Sequence, residues 1–189
     1  MKLNNAFKFV IAIAVSELAG IIGSVFTVSA IPTHSAGSGQ SWYAGLIKPA
    51  LNPPSWVFGP VWTTLYALMG IALYLVWKND WKVKNHICEG KRKAWNYLSE
   101  RLWIGSWQKE NAIAIFGIQL FLNILWSLIF FGLKSPDLAF FEILALWVAI
   151  LFTIINFYRI SKASAYLLLP YILWVSFASY LNYSIWILN

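Results

Sequence analysis

Five long apolar stretches limit the folds that this chain can adopt. They cover about residues 7–31, 54–77, 112–131, 138–157 and 165–188. A helix needs about 20 predominantly apolar residues to cross a bilayer, and each stretch reaches that length. Of the 189 residues, 60% are hydrophobic and only 11% are charged, which is too few charges for a soluble domain. The sequence therefore predicts an all-α membrane protein, a single domain (residues 1–189) built as a bundle of five transmembrane helices.

The first stretch also resembles a secretory signal, because Lys2 and Lys8 precede an apolar run that ends in Val28-Ser29-Ala30. The run is longer than a signal core and carries Glu17 in its middle, which favours a retained helix. Small residues recur in it at four-residue spacing, namely Ala12, Ser16, Gly20 and Ser24. Since such a ridge lets a second helix approach closely, we expect a packing helix here.

Lysine and arginine are distributed unevenly between the stretches. Twelve lie at the amino terminus and in the second and fourth connections, whereas the other side of the membrane has two, Lys48 and Lys134. Positive residues concentrate on the cytoplasmic side, so this pattern predicts a cytoplasmic amino terminus and an external carboxyl terminus. Membrane topology and contact with anionic lipid account for the excess of basic residues, and no nucleic-acid partner is indicated.

The two long connections differ in character. The first, about residues 32–53, begins with PTHSAGSGQS and continues with WYAGLIKPALNPP, which predicts a flexible run followed by a constrained lid. The second, residues 78–111, is a basic cytoplasmic insertion rich in tryptophan. Four of its apolar residues share one helical face, namely Trp95, Leu98, Leu102 and Trp103. This face favours an amphipathic helix lying on the cytoplasmic leaflet, and the alternative is a disordered loop with tryptophans at the interface.

The usual chemical groups of enzymes and metal sites are sparse. Cys88 is the one cysteine, and His34 and His86 fall in connections on opposite sides of the membrane. The sequence has no Walker loop, no HExxH helix and no pairing of a nucleophile with a base. We therefore predict no catalytic residue, no metal ligand and no required cofactor.

Polar and aromatic residues form stripes on three of the predicted helices. The stripes are Trp62, Tyr66 and Leu73 on the second; Gln119, Asn123, Trp126 and Phe130 on the third; and Trp174, Ala178, Leu181 and Ile185, with Asn182 beside them, on the fifth. Three such faces could enclose a large, flat, mostly apolar ligand. Aromatic stripes in membrane bundles also serve as packing surfaces or interfacial belts, and the spacing alone leaves both interpretations open.

Two carboxylates lie inside apolar runs, where a bare charge costs about 2.5 to 3.5 kcal/mol on insertion scales. They are Glu17 and Glu142. The structural interpretation is an interhelical hydrogen bond to a residue such as Ser16, Asn123 or Asn156. The functional interpretation is a polar anchor or a proton-linked element.

Three motifs in a fixed order carry a resemblance to a known family. They are WYAGLIKPALNPPSWVFGPVWTTLYALMGIALYLVW (residues 42–77), LNILWSLIFFG (residues 122–132) and LLLPYILWVSFASYLNYSIWILN (residues 167–189). They closely resemble the tryptophan-rich sensory protein / translocator protein (TspO/MBR, peripheral benzodiazepine receptor) family. The resemblance implies a five-helix bundle, a homodimer and, as in prokaryotic relatives, the cell membrane. It also implies a pocket beneath the first connection for tetrapyrroles such as protoporphyrin IX and haem, for sterols and for aromatic drugs.

The same resemblance assigns ligand-binding roles to particular residues. The lid residues are Trp42, Tyr43, Pro53 and Pro54, and the wall residues are Trp62, Tyr66, Asn123, Trp126, Phe130, Trp174, Ala178 and Leu181. Proline fixes φ and lacks a backbone donor, so we expect Pro49, Pro53 and Pro54 to hold the lid extended over the pocket. The last two can begin the second helix, and Pro60 is expected to tilt or loosen its first turns.

The resemblance implies a membrane sensor or carrier for tetrapyrroles. Two alternatives stay open: light- and oxygen-dependent porphyrin breakdown by pocket tryptophans, and an assembly protein that acts through the basic connection.

Two features depart from the family. Leu181 and Tyr183 are followed by no basic residue, so sterol recognition by that element is not expected. The insertion at residues 78–111 is longer than most members carry.

Overall fold

The structure is a computed structural model, and it describes residues 4–28, 42–79 and 109–189. In chain order the helices are α1 (Asn5–Val28), α2 (Trp42–Gly45), a 3-10 turn (Ser55–Val57), α3 (Phe58–Lys78), α4 (Lys109–Ser127) continued by a π turn (Leu128–Gly132), α5 (Pro136–Ile160), α6 (Lys162–Leu167) and α7 (Leu169–Leu188). The described residues include no β-strand. The predicted all-α fold is confirmed.

Five helical segments are long and apolar enough to cross a membrane. They are Asn5–Thr27, Ser55–Lys78, Lys109–Gly132, Pro136–Ile160 and Lys162–Leu188. Each overlaps one predicted span, and most of the helices begin or end a few residues outside the apolar run, since a helix continues past the point where hydropathy falls. The chain is thus an integral, multi-pass membrane protein. Several predictions fall outside the described residues: the interfacial helix at residues 95–103, the flexible run at residues 32–41, Cys88 and both histidines.

The helices pack as a closed ring. α1 contacts α3 on one side and α4 on the other, α4 packs on α5, α5 packs on α6 and α7, and α6 returns to α3. The densest core lies in the half of the bundle away from the lid, where Val76, Phe116 and Phe157 are buried to 2% exposure or less. Phe116 and Phe157 stack there with ring centroids 5.7 Å apart. The lid end of the ring is less filled.

Small residues bring α1 and α3 together, as the ridge predicted. A Cβ added at Gly70 would lie 2.8 Å from the Cα atom of Ile13, and one added at Gly20 would overlap the ring of Tyr66. Ala12 and Ser16 are fully buried on the same face. Ser24 was expected to continue this ridge, but it is exposed and its hydroxyl donates to its own helix at Ile21 O, 2.7 Å away. The ridge ends at Gly20, because beyond this residue, towards the lid, the two helices separate and α1 borders a cavity.

The predicted hydrogen bonds of Glu17 and Glu142 to neighbouring polar residues are wrong. Both carboxylate oxygens of Glu142 are buried without a partner, and Glu17 has no hydrogen bond to another described residue. The expected partners are already engaged. Ser16 donates to Ala12 O at 3.1 Å, and Asn156 Nδ2 donates to Phe152 O at 2.7 Å, both within their own helices.

A candidate ligand-binding cavity

A cavity of about 400 Å³ occupies the lid end of the bundle. It lies between α1, α3, α4 and α7, beneath α2 and the segment that leads to α3. Its lining is mostly apolar: Glu17, Gly20, Ile21, Gly23, Ser24 and Thr27; Tyr43; Ser55, Phe58, Gly59, Trp62, Thr63 and Tyr66; Trp126, Ser127, Phe130 and Phe131; and Trp174, Ala178, Leu181, Asn182 and Ile185. Pockets for small molecules typically measure 300 to 1,000 Å³ and combine apolar walls with a few polar groups.

Two stacked aromatic pairs, one on α3 and one on α4, form part of the wall. Trp62 and Tyr66 on α3 stack with centroids 5.7 Å apart and planes inclined by 29°. Trp126 and Phe130 on α4 stack at 5.2 Å and 24°. The two residues of each pair are four positions apart in sequence, the i, i+4 spacing that places side chains on one face of a helix. The wall therefore presents broad π surfaces to the interior.

Buried hydrogen bonds fix the orientation of these rings. The Tyr66 hydroxyl donates to Asn123 Oδ1, and Asn123 Nδ2 donates to the Tyr171 hydroxyl at 3.0 Å. The Trp126 indole N–H donates to Asn182 Oδ1 at 3.0 Å. These bonds join α3, α4 and α7, and they leave little rotational freedom to Tyr66 and Trp126.

The π turn after α4 enriches the wall in aromatic rings. In it the Leu133 N–H donates to Leu128 O at 2.8 Å, five residues back. Phe131 lies edge-on to Trp126 at 5.9 Å, and Phe130 is stacked on the same indole. Single π turns occur often at functional sites, where they re-aim side chains. Here the turn brings two consecutive phenylalanines onto one tryptophan.

The lid comprises residues 42–54. Tyr43 on α2 is buried and packs against the rings of Phe130 and Phe131, at 6.3 and 5.7 Å between centroids. Its hydroxyl donates to Asn52 Oδ1 at 3.1 Å. Burial raises the pKa of this hydroxyl, while the hydrogen bond to Asn52 opposes the shift, so Tyr43 remains a neutral donor at physiological pH.

The lid is not extended as predicted. The Asn52 N–H donates to Pro49 O at 2.9 Å and closes a turn between these residues. Asn189 then fastens the lid to the end of α7: its side chain accepts from the Ile47 N–H at 2.9 Å and donates to Ile47 O at 3.0 Å. This pair of bonds is called the Asn189 clamp below.

The structure places eight of the twelve predicted site residues on the cavity wall. They are Tyr43, Trp62, Tyr66, Trp126, Phe130, Trp174, Ala178 and Leu181. Asn123 lies behind the wall, where it is buried at 2% exposure and holds Tyr66 in place. Trp42 lines a second, separate cavity of about 450 Å³ with Lys134 and Trp186, and its ring supports Phe130 from outside.

Pro53 and Pro54 also lie outside the cavity lining. Pro53 O accepts from Asn52 Nδ2 at 3.1 Å, and Pro54 precedes the 3-10 turn that leads into α3. They shape the entry to α3, as proline's fixed φ allows. These prolines were predicted to begin the second helix. The prediction is nearly correct, because a 3-10 turn of three residues separates Pro54 from α3.

Sequence reasoning missed the contribution of α1. The spacing of small residues was assigned to packing, yet beyond Gly20 the same face opens into the cavity through Gly23, Ser24 and Thr27. The signal that pointed to this face was Glu17, a carboxylate in an apolar run. Its side chain lines the cavity.

Several polar groups of the wall lack hydrogen-bond partners among the described residues, and two of them bear on the chemistry of the cavity. The indole N–H of Trp174 is buried without a hydrogen bond, and the carboxyl group of Glu17 has none within the described part of the chain. By contrast, the hydroxyls of Thr27 and Thr63 bond to their own helices at Gly23 O and Gly59 O. Within residues 4–28, 42–79 and 109–189, no lysine, arginine, histidine or cysteine lines the cavity, and these residues form no cluster of metal ligands.

Comparison with known proteins identifies relatives over most of the chain. A family model described as the TspO/MBR family matches residues 12–187. The tryptophan-rich protein TspO of Archaeoglobus fulgidus is 40% identical over 185 residues, which cover 98% of this chain and 99% of that protein. The translocator protein of Homo sapiens is 37% identical over 153 residues (79% and 76%), and the tryptophan-rich sensory protein of Cereibacter sphaeroides is 31% identical over 150 residues (79% and 78%).

Proposed function

Because the chain belongs to the TspO/MBR family, we propose that it binds a tetrapyrrole such as protoporphyrin IX or haem in this cavity and acts as a membrane sensor or carrier. The names of its relatives refer to sensing and to translocation, and both activities begin with a bound ligand. We further propose a prokaryotic cell membrane as its location, with the lid outside the cytoplasm. The homodimer and a role for the basic connection remain predictions.

The observation that carries this proposal is that two stacked aromatic pairs line one cavity. Trp62 with Tyr66 and Trp126 with Phe130 offer stacked ring faces, and Trp174 adds an indole N–H that lacks a protein acceptor. Stacked aromatic contacts contribute about 0.5 to 1.5 kcal/mol beyond the area that they bury. A flat macrocycle with ring nitrogens or carbonyl groups complements such a wall in both shape and polarity.

Single tryptophan substitutions test the site. Trp62→Phe and Trp174→Phe each keep a ring but lose area and the indole N–H, so the dissociation constant for protoporphyrin IX should rise about three- to thirtyfold, at about 1.4 kcal/mol per tenfold change. Trp147→Phe is the matched control, because Trp147 lies outside the cavity lining and donates to Ser176 Oγ at 2.8 Å. Titration by fluorescence quenching measures all three, and equal affinities would place the ligand elsewhere.

A second proposal, light- and oxygen-dependent porphyrin breakdown, is favoured by one specific observation. Three tryptophans, Trp62, Trp126 and Trp174, line the same cavity, and indole rings in contact with a photo-excited porphyrin are readily oxidised. Illumination of the purified protein with protoporphyrin IX in air tests it. A new absorbing product that forms at the rate of porphyrin loss, and that is absent without oxygen, supports turnover. Unchanged spectra leave binding as the function.

A further inference from the structure

The charged groups around the cavity are arranged along its long axis. Glu17 precedes Thr27, the lining residue at the lid end of α1, by ten residues, which corresponds to about 15 Å along a helix. Tyr66 on α3 lies against Gly20, which is three residues from Glu17 on α1. Glu17 and Tyr66 therefore form the floor of the cavity.

The carboxyl group on the floor has no compensating charge. No basic side chain lines the cavity in the described part of the chain. Glu17 is half-buried and borders an open cavity, so water or a ligand can reach its carboxyl group. The hydroxyls of Ser24 and Thr27, which lie nearer the lid on α1, are bonded to their own helix. A bound ligand therefore meets the Glu17 carboxyl group without a competing protein partner among the described residues.

The lid end carries the opposite charge. Lys48 Nζ lies 4.7 Å from the centroid of the Tyr43 ring, and Tyr43 lines the cavity. The same amine donates to Ala44 O and Leu46 O, each at 3.4 Å, and no carboxylate of the described residues pairs with it. Lys48 is not a lining residue, so a cation of the lid next to Tyr43 and a carboxylate on the floor give the cavity an electrostatic direction.

We propose that Glu17 determines the charge specificity of the cavity: the floor accepts an uncharged or cationic edge of a flat amphiphile and rejects a carboxylate, while Lys48 favours an acidic edge at the lid. In its tetrapyrrole form this inference rests on the function proposed above. It predicts that ligands acidic along one edge bind with that edge towards the lid. Ligands acidic around the whole ring bind more weakly, since one of their carboxylates would lie close to the like charge of Glu17.

Two porphyrins test the proposal. Protoporphyrin IX carries its two propionates on one edge, whereas coproporphyrin carries four around the ring, so one must face the floor. The parent protein should bind coproporphyrin at least tenfold more weakly. Glu17→Gln should raise the affinity for coproporphyrin relative to that for protoporphyrin IX about tenfold. Glu142→Gln is the matched control, because it removes a carboxylate from the same membrane region outside the cavity lining; it should change neither affinity.

A second pair of probes keeps the charge preference separate from tetrapyrrole binding. 9-Aminoacridine is a cation and acridine-9-carboxylate is an anion on the same ring. In detergent-purified protein, Glu17→Gln should shift the ratio of their dissociation constants about tenfold towards the anion. Two ratios of dissociation constants decide the test: coproporphyrin to protoporphyrin IX, and acridine-9-carboxylate to 9-aminoacridine. The proposal is overturned if Glu17→Gln leaves both ratios within twofold of the parent, or if Glu142→Gln shifts them equally. If no variant binds either porphyrin, the proposed function fails, and the acridine ratio alone then decides the charge preference.

Discussion

Asn123 offers a direct test of how the aromatic wall is held. It is 2% exposed, and it connects the Tyr66 hydroxyl on α3 to the Tyr171 hydroxyl on α7. Asn123→Leu keeps a similar volume and removes both interhelical bonds. Such bonds average about 0.6 kcal/mol each in membranes, so the two together contribute about 1 kcal/mol. A hydroxyl left unsatisfied inside a protein adds about 1 to 3 kcal/mol, so the unfolding free energy should fall by about 1 kcal/mol if both hydroxyls find new partners and by about 2 to 4 kcal/mol if one does not.

A double-mutant cycle with Tyr66→Phe isolates the bond. If the Tyr66 hydroxyl depends on Asn123, the double variant should be less destabilised than the sum of the single variants by about 0.5 to 1.5 kcal/mol. Unfolding in mixed micelles with increasing dodecyl sulfate gives the four free energies. Protoporphyrin IX affinity, measured in parallel, should fall in Asn123→Leu because the Trp62–Tyr66 stack loses its support.

Asn156→Leu provides the control for this cycle. Asn156 is equally buried, at 1% exposure, but its amide bonds only within α5 and its Oδ1 atom has no partner. Its replacement should cost less stability than that of Asn123 and leave ligand affinity unchanged. Additive effects of Asn123→Leu and Tyr66→Phe within about 0.3 kcal/mol would refute the claim that this network positions the wall.

Three further predictions concern topology, the lid and helix packing. A tag at Met1 should be protected in intact cells and a tag at Asn189 should be accessible from outside, as the twelve-to-two distribution of basic residues predicts; both tags on one side would rule out five spans. Asn189→Ala breaks the clamp to Ile47 and should speed ligand dissociation up to about tenfold in stopped-flow measurements, with an unchanged rate excluding a gating role. Gly70→Ala should cost about 1 to 3 kcal/mol of unfolding free energy because its Cβ meets the backbone of Ile13, whereas Gly117→Ala, with nothing within 4 Å, should not destabilise.

The fold followed from the sequence because bilayer thickness sets the length of a spanning helix. Each predicted span became one helical crossing, and the stripes of α3, α4 and α7 correctly indicated which faces meet, since helical periodicity fixes them. Trp62, Trp126 and Trp174 all lie on the cavity wall for this reason. These positions depend on local spacing, which a single sequence contains.

The positions that were missed depend on the relative placement of two helices. Gly20 and Ser24 are both small residues on α1, yet one touches Tyr66 and the other lines open space. Spacing cannot tell where two helices separate. Likewise, Asn123 fits the stripe pattern, but its side chain bonds to Tyr66 and Tyr171 and does not line the cavity. The reason is that a buried amide group must have hydrogen-bond partners.

The π turn at Leu128–Gly132 gives this wall an unusual dependence on chain length. In an α-helix, side chains five residues apart point about 140° away from each other, so Phe131 would leave the side of the helix that carries Trp126. The wider turn absorbs one residue and keeps both phenylalanines against that indole. Deletion of Ile129, which lies outside the cavity lining, would let an ordinary α turn close and would leave the two phenylalanines three and four residues after Trp126, about 60° and 40° to either side of it around the helix. A one-codon deletion would therefore change the angle of both rings to the indole while every lining side chain is kept.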